Sequence, residues 1–423
     1  MTAAPPDVVA PSVKGCCPGA HRPMMSGDGL IVRVRPRAGR LCAEAALGLC
    51  DLAERHGGGA LDLTNRANLQ IRGVAAEAHA PLLRALEDLG LLDADAEAER
   101  RRNLIVDPFA PAGGLCRRLA EALTEALPRL PALPAKIGFA VDAGPAPILQ
   151  DAPADLRLEQ GPSGLILRAD GARAGRKVSE AQAIPALIEM AEWLASRLGP
   201  DARRMARVQT RHALPTAWRD APPAPPAGRP APGLRAEGLL LGAPFGRLPA
   251  EDLRRLLHEA AAPAIRLTPW RMILLEGMRA APAAAARFIT RPDDPLLPVD
   301  ACPGAPFCAS ASVETRAVAR RLAPLWKGSL HVSGCAKGCA RATVADLTLV
   351  GRDGAFDLVR GGRAGDAPLA RGLTLNDLMR DDLTPQDLMP ADPMPHDPTP
   401  QDPTPEDPTL AAPTLAAPTH ADP

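Results

Sequence analysis

Four cysteines in the last third of the chain have the spacing and the neighbours of a metal site. A pair with five intervening residues is followed, 26 residues later, by a pair with three, which gives Cys302, Cys308, Cys335 and Cys339. Structural zinc sites usually place two to four residues between paired cysteines, whereas an iron–sulfur cluster is larger than one ion and tolerates wider spacing. The spacing therefore favours an iron–sulfur cluster, with zinc and unligated core cysteines as the alternatives.

The other five of the nine cysteines are expected to have simpler roles. Cys42 and Cys50 fall on a predicted helix, and we expect them, like Cys116, in the hydrophobic core. Cys16 and Cys17 are adjacent, so both cannot easily face one site. Cys17 begins a Cys-Pro-Gly-Ala sequence that recurs at the first cysteine of the metal motif, which makes it a secondary ligand candidate.

The composition indicates a chain with enough apolar content for two or three domains: 423 residues, 46% hydrophobic and 23% charged. The formal net charge is zero, but residues 374–423 hold ten acidic residues and one basic residue, so residues 1–373 hold 48 Lys and Arg against 39 Asp and Glu, a balance of +9. The body lacks the interleaved aromatic residues that stack bases, which favours a small polyanionic ligand over nucleic acid. Without a signal-peptide start or an apolar run of about 18 residues, we expect a cytoplasmic protein and no membrane span.

Two segments rich in proline divide the chain. Residues 220–233 contain six prolines in fourteen positions and predict a linker. Residues 374–423 are dominated by a five-residue repeat of aspartate and proline. Because proline removes backbone donors and large apolar side chains are nearly absent, this segment predicts an extended, disordered tail.

The halves on either side of the linker carry similar short sequences in the same order, which indicates an ancient duplication. Three pairs of segments match, namely 61–64 with 265–268, 28–30 with 237–239, and 154–156 with 345–347. Each copy reads as a strand, a helix, two short strands and a second helix, with the helices expected at 41–56, 76–89, 249–261 and 281–288.

This pattern predicts an α+β fold in which each half-domain is followed by an α/β unit. The predicted boundaries are 14–90 and 234–292 for the half-domains, and 98–219 and 298–372 for the α/β units. We expect the two half-domains, related by a pseudo-twofold axis, to join into one sheet.

The cysteine motif, the duplication and the segment 63–73, LTNRANLQIRG, together resemble the sulfite and nitrite reductase superfamily. The resemblance covers about residues 14–372. It implies a duplicated fold with ferredoxin-like half-domains and a 4Fe–4S cluster on the four cysteines. In those reductases the cluster lies beside sirohaem, and the last cysteine bridges to the haem iron.

Within the superfamily, residues 15–30 and 136–142 resemble the branch that hydroxylates a precorrin in aerobic cobalamin biosynthesis. This resemblance implies an oxygen-dependent monooxygenase that hydroxylates precorrin-3A at C20 with dioxygen and closes a γ-lactone. The alternatives are a sirohaem-dependent sulfite or nitrite reductase and a non-catalytic iron–sulfur electron carrier. The sequence has no Gly-x-Gly-x-x-Gly fingerprint after a strand, so we expect a separate ferredoxin or flavoprotein to supply electrons.

The same resemblance implies a mononuclear non-haem iron in addition to the cluster. The sequence does not fix its ligands, and His21, His212 and His331 are the candidates. No catalytic residue is assigned.

Five side chains are expected to contact the tetrapyrrole: Arg66, Gln70, Arg72, Arg102 and Lys136. The four basic residues match basic positions of the reductases, and Gln70 alternates with Arg72 on one strand face. Arginine forks suit the carboxylates that ring a precorrin. Reductases usually have a second lysine near Lys136, but this chain continues with Gly138, which favours a tetrapyrrole substrate over sulfite or nitrite.

Overall fold

The computed structural model describes residues 18–379, and its strands form four five-stranded sheets. Cys16, Cys17 and residues 380–423 of the predicted tail lie outside the described residues. The prediction of a disordered tail is wrong at its first residues, because Thr374 caps a short helix through a reciprocal capping box with Asp377. Apolar side chains of this helix pack against the core of the preceding sheet.

The first half of the chain contains two of the sheets and the helices that cover them. The half-domain has β1 Met24–Ser26, β2 Gly29–Val34, β3 Arg40–Cys42, α1 Ala43–His56, β4 Ala60–Leu63, β5 Leu69–Val74 and α2 His79–Asp88. The α/β unit has α3 Ala96–Arg101, β6 Leu104–Val106, α4 Leu115–Ala126, β7 Phe139–Asp142, β8 Leu156–Gly161, β9 Gly164–Ala169, β10 Arg176–Lys177, α5 Glu180–Ala195 and α6 Met205–Val208.

The second half repeats this order after the proline-rich segment. Its half-domain has β11 Gly233–Leu234, β12 Gly238–Gly242, β13 Arg247–Pro249, α7 Ala250–Ala260, β14 Ala264–Leu267 and β15 Met272–Glu276. Its α/β unit has β16 Val299–Ala301, α8 Arg316–Leu322, β17 Leu330–Ser333, β18 Ala345–Arg352, β19 Ala355–Gly362 and β20 Ala370–Leu373, followed by α9 Leu375–Leu378. The helix expected at 281–288 is instead a single short 3-10 segment, Ala283–Arg287.

The two half-domains exchange one strand each, so the expectation of a single joined sheet is wrong. Strand β3 of the first half pairs with β14 of the second, and β13 of the second half pairs with β4 of the first, both antiparallel. Just before each exchanged strand the backbone has a positive φ at a non-glycine residue, 47° at Ala38 and 58° at Phe245. This left-handed conformation redirects the chain away from its own sheet.

The exchange also corrects the predicted start of α1. Residues 40–42 are a strand, so the helix begins at Ala43, and Cys42 is exposed instead of lying in the core. Cys50 and Cys116 are buried, as predicted.

One hydrophobic core serves both half-domains. It contains Leu49 and Leu52 of α1, Leu253 and Leu257 of α7, and side chains of both sheets. Leu248 of the exchanged strand β13 is fully buried in it. Because the same apolar surface is shared, neither half-domain keeps a complete core without the other.

The two α/β sheets have the same topology. Their first three strands are parallel, β6–β7–β8 and β16–β17–β18, and two antiparallel strands complete each sheet. The carboxyl ends of parallel strands meet at one edge, which is where open α/β sheets usually bind ligands. No helix among residues 18–379 is both long and apolar enough to cross a bilayer.

We expect Leu248→Ala to lower the free energy of unfolding by about 2–5 kcal/mol, because it removes buried methyl groups from a strand that fills the other half-domain's sheet. Chemical denaturation should still give one transition for both half-domains, since they share a core. The control is Leu369→Ala, at a side chain that is 68% exposed, which should change the value by no more than about 0.5 kcal/mol. Separate transitions for the two half-domains in the wild-type protein would contradict the shared core.

Candidate active site

The two cysteine pairs leave the sheet at the carboxyl ends of neighbouring parallel strands. Cys302 follows β16 directly, and Cys335 lies two residues beyond the end of β17. The strands pair in parallel, with Asp300 beside His331 and Ala301 beside Val332. The loops after these strands therefore start side by side, and they bring both pairs to the same edge of the sheet.

The four thiols form one electrostatic group. Cys302 is buried, and its Sγ accepts a hydrogen bond from the backbone N–H of Gly334 at 3.1 Å. Partial burial raises the pKa of Cys335, and the nearby Cys308 and Cys302 thiols raise it further. Loss of hydration and then the other three thiols also raise the pKa of Cys339, although part of that residue is exposed.

The thiols are not arranged as a single-ion site. Within the described part of the chain, no three His, Cys, Asp or Glu side chains stand close enough together to share one metal ion. Four soft thiols at one edge of the sheet, with a backbone N–H that already donates to one sulfur, suit an iron–sulfur cluster.

The Cys308 loop docks on the first half-domain through Arg72 of β5. The Arg72 guanidinium donates to the carbonyl of Phe307 at 3.1 Å, to Ser26 Oγ at 2.9 Å and to both carboxylate oxygens of Asp28 at 3.0 and 3.1 Å. A side chain on Gly27 would lie 2.6 Å from the backbone nitrogen of Ala309. The first half-domain therefore holds the loop that carries the second cysteine.

A charged face of the first half-domain sheet looks toward the cysteine-bearing unit. Gln70 and Arg72 share this face of β5, as expected from their alternation, and the ladder places Arg33 and Asp62 opposite Gln70. Arg247 of the exchanged strand pairs opposite Asp62, and Arg316 of α8 donates to Asp62 at 3.1 Å.

This face, which we call the arginine face, consists of Arg33, Arg72, Arg247 and Arg316 with Asp28 and Asp62. Burial lowers the pKa of Arg247, and the like charges of Arg316 and Arg72 lower it further against the opposing effect of Asp62. Sequence reasoning missed three of the four arginines. The alternation argument that identified Gln70 on β5 also identifies Arg33 when it is applied to β2. Arg247 reaches the face only because its strand is exchanged.

Arg66 and Lys136 come together through a hydrogen bond from a side chain to a backbone carbonyl. Arg66 lies in the turn after β4 and donates to the backbone carbonyl of Lys136 at 3.1 Å. Lys136 is exposed in a turn that precedes β7, so its expected place on a strand is wrong.

Arg102 is held inside the protein instead of facing a ligand. Its guanidinium makes a bidentate ion pair with Asp93 at 2.7 and 2.8 Å and donates to the carbonyl of Arg35 at 2.8 Å, and both charged side chains are more than 90% buried. The expectation that Arg102 contacts a carboxylate of the tetrapyrrole is therefore not supported by its position. Its charge is already neutralised by Asp93.

The three histidine candidates occupy different surroundings. His21 contacts the carbonyl of Asp93, and His212 is exposed. His331 is fully buried next to the second cysteine loop, and burial lowers its pKa to about 4. No two of the three combine with a Cys, Asp or Glu to form a single-ion set in the described residues.

Comparison with known proteins places the chain in a family. Residues 22–89 match the model of the nitrite/sulfite reductase ferredoxin-like half domain. A precorrin-3B synthase from Sinorhizobium sp is 34% identical over 408 residues, which cover 86% of this chain and 86% of the relative. The chain belongs to the precorrin-3B synthase family.

Reductases are more distant relatives of this precorrin-3B synthase family member. A ferredoxin–nitrite reductase from Leptolyngbya laminosa is 25% identical over 425 residues, covering 81% of this chain and 82% of the relative. The solved structure of the Mycobacterium tuberculosis NirA protein superposes with a TM-score of 0.57 at 21% identity, covering 82% of this chain and 77% of that one. That likeness confirms the duplicated α+β fold.

The backbone at residue 138 lies against Arg66. Gly138 packs so closely that an added Cβ would lie 3.2 Å from Arg66 Nη1, 3.2 Å from the carbonyl oxygen of Pro153 and 3.4 Å from that of Asn103. A side chain at this position would therefore require these neighbours to shift by a few tenths of an ångström. The glycine allows Arg66 to approach the turn at Lys136.

In this precorrin-3B synthase homologue, the first α/β sheet has an edge that corresponds to the cysteine-bearing edge of the second. Different side chains lie there. Asp107 follows β6 as Cys302 follows β16, and Asp142 ends β7 as Ser333 ends β17. Asp142 is 1% exposed, and only one of its carboxylate oxygens has hydrogen-bond donors, the N–H groups of residues 148 and 149. Burial raises the pKa of Asp142 to about 7, with Asp107 adding to the effect.

This shift predicts a pH-dependent stability that Asp142→Asn should remove. Between about pH 4 and pH 7 the folded protein keeps a proton on Asp142 that the unfolded chain releases, so the free energy of unfolding falls as pH rises. We expect the wild-type value to fall relative to the Asn variant by at most about 1.4 kcal/mol per pH unit in this window. Urea titrations at several pH values measure the difference, and parallel pH profiles would contradict the prediction.

Proposed function

We propose that this chain is an oxygen-dependent monooxygenase that converts precorrin-3A to precorrin-3B. The reaction hydroxylates C20 and forms a γ-lactone. The observation that carries the proposal is the 34% identity to a precorrin-3B synthase across 86% of both chains. Two features of the structure support it, namely the edge of the cysteine-bearing sheet and the arginine face. They meet at the Cys308 loop.

Cys302, Cys308, Cys335 and Cys339 would hold a 4Fe–4S cluster. Their soft thiol donors fit it, and the five residues between Cys302 and Cys308 exceed the two to four that are usual in structural zinc sites. When bound, such a cluster supplies electrons one at a time. Relatives in the nitrite and sulfite reductase superfamily bind an iron–sulfur cluster and sirohaem.

The arginine face would bind the carboxylates of the substrate. A precorrin carries acetate and propionate groups, and guanidinium groups bind carboxylates in bidentate fashion. The face has four arginines and two aspartates, and Asp28 is ion-paired with Arg72 and Asp62 with Arg316. Its remaining positive excess is what a polyanionic macrocycle would neutralise. Arg66 would bind a further carboxylate near the Lys136 turn.

A separate electron donor would complete the system, since the sequence carries no nicotinamide fingerprint. A ferredoxin or flavoprotein with an acidic face fits the +9 balance of residues 1–373.

A sirohaem-dependent nitrite or sulfite reductase is the second candidate, favoured by the 25% identity to a nitrite reductase. The resemblance counts against it at one point, because reductases usually have a second lysine near Lys136, where this chain has Gly138. The visible spectrum of anaerobically purified protein separates the two. Strong haem bands would support the reductase.

We expect Cys302→Ser to abolish binding of iron and sulfide, because a hydroxyl is a poor replacement for a thiolate ligand at this buried position. Iron and sulfide assays on anaerobically purified protein measure the loss. The matched control is Cys42→Ser, at an exposed cysteine in β3, which should keep the wild-type content. Full iron and sulfide in Cys302→Ser would refute the ligand assignment.

Turnover of precorrin-3A under ¹⁸O₂ should place the label in the new C20 hydroxyl group, because a monooxygenase transfers one oxygen atom of dioxygen to the substrate. Mass spectrometry of the product measures the incorporation. Label that arrives from H₂¹⁸O instead would exclude the proposed reaction.

We expect Arg66→Ala to weaken precorrin-3A binding by about tenfold or more, the loss of one charge-assisted contact of roughly 1.5–3 kcal/mol. The iron and sulfide content should stay unchanged, since Arg66 donates to the carbonyl of Lys136 and is not one of the proposed cluster ligands. Arg255→Ala, at a side chain that is 67% exposed, is the control. Equal affinity of the two variants would contradict a role for Arg66 in binding.

A further inference from the structure

His331 is a buried side chain without partners. It is 0% exposed, and neither of its ring nitrogens has a hydrogen-bond partner among residues 18–379. Buried polar groups are nearly always hydrogen-bonded, and an exception calls for an explanation, such as a redox role or a bound group that supplies the missing partner.

The ring lies directly under the second cysteine loop. His331 belongs to β17, the strand that leads into Cys335. A Cβ built on Gly338 would lie 3.6 Å from His331 Cε1, and Gly338 precedes Cys339. The imidazole therefore faces the loop segment between the two cysteines of this pair.

The polar neighbours of His331 in the sheet are already bonded elsewhere. Asp300, its register partner on β16, makes ion pairs with Arg271 and Arg341, the latter at 3.1 Å. Thr348, its register partner on β18, donates to the carbonyl of Gly362 at 2.9 Å. These side chains of the flanking strands therefore do not bond the imidazole, and the remaining position for a partner is on the side of the cysteine loop.

We propose that His331 is a positioning residue that donates a ring N–H to a sulfur atom of the group held by the four cysteines. The inference rests on the proposed cluster. A neutral imidazole carries one N–H donor. A donor aimed at cluster sulfur stabilises the more negative, reduced state, so His331 raises the reduction potential.

The test is a redox titration, followed by EPR, of the wild-type protein and the variants His331→Leu and His331→Gln. We expect the Leu variant, which has no donor, to show a potential lower by about 59 mV, equal to a tenfold change in the one-electron reduction equilibrium. The Gln variant keeps an N–H donor and should lie closer to the wild type. An unchanged potential in His331→Leu with full cluster content would overturn the inference.

Thr348→Val is the matched control. Thr348 is buried in the same row of the same sheet and loses a hydrogen bond on substitution, but its hydroxyl is directed to Gly362. Its potential should equal that of the wild type. A shift as large as that of His331→Leu would mean that any loss of polarity in this row changes the potential, which would overturn a specific role for His331.

A measurement on the wild-type protein decides the case where the Leu variant fails to fold or to hold iron. Protein labelled with ¹⁵N-histidine should show a ¹⁵N hyperfine coupling in pulsed EPR of the reduced cluster. Its absence would overturn the inference. Wild-type protein without iron and sulfide would instead refute the proposed cluster, so failure of the two proposals can be told apart.

Discussion

The exchange of strands β3 and β13 is the constraint on which the rest of the structure depends. Each exchanged strand completes the sheet of the other half-domain, and the shared core prevents the two halves from separating without exposing leucines that are fully buried. The exchange also brings Arg247 to the charged face of the first sheet. The cysteine loops of the last unit can then dock on a surface whose position is fixed.

The duplication has kept the geometry and changed the charges. Arg72 and Asp62 of the first half correspond, at the offset of 204 residues, to Glu276 and Arg266 of the second. In the second half Arg266 donates to Glu276 and to the carbonyls of Pro108 and Ala110. An arginine thus ties each half-domain to the loop after the first parallel strand of the opposite α/β unit. Only one of these loops carries cysteines, so only one edge can hold a metal cluster.

The sequence predicts the repeated fold and the local pattern of each strand. Strand alternation placed Gln70 and Arg72 on one face, and the matched segments predicted two copies of one α+β fold. The strand exchange depends on a left-handed backbone conformation at Ala38 and Phe245. Alanine and phenylalanine are not residue types that predict this conformation. The burial of Arg102 depends on Asp93, an ordinary acidic residue in the sequence. Both are tertiary effects, so no local sequence pattern predicts them.

Position 138 is restricted by the backbone as much as by side chains. Two of the three atoms nearest to a side chain at position 138 are the carbonyl oxygens of Pro153 and Asn103. A flexible arginine can move aside for a longer side chain, but these carbonyls belong to segments fixed by the sheet, since the Asn103 oxygen accepts the N–H of Phe139 at 2.8 Å. Replacing the glycine alone would therefore strain the start of β7. A larger residue at this position is therefore accommodated only if the backbone around it shifts by a few tenths of an ångström.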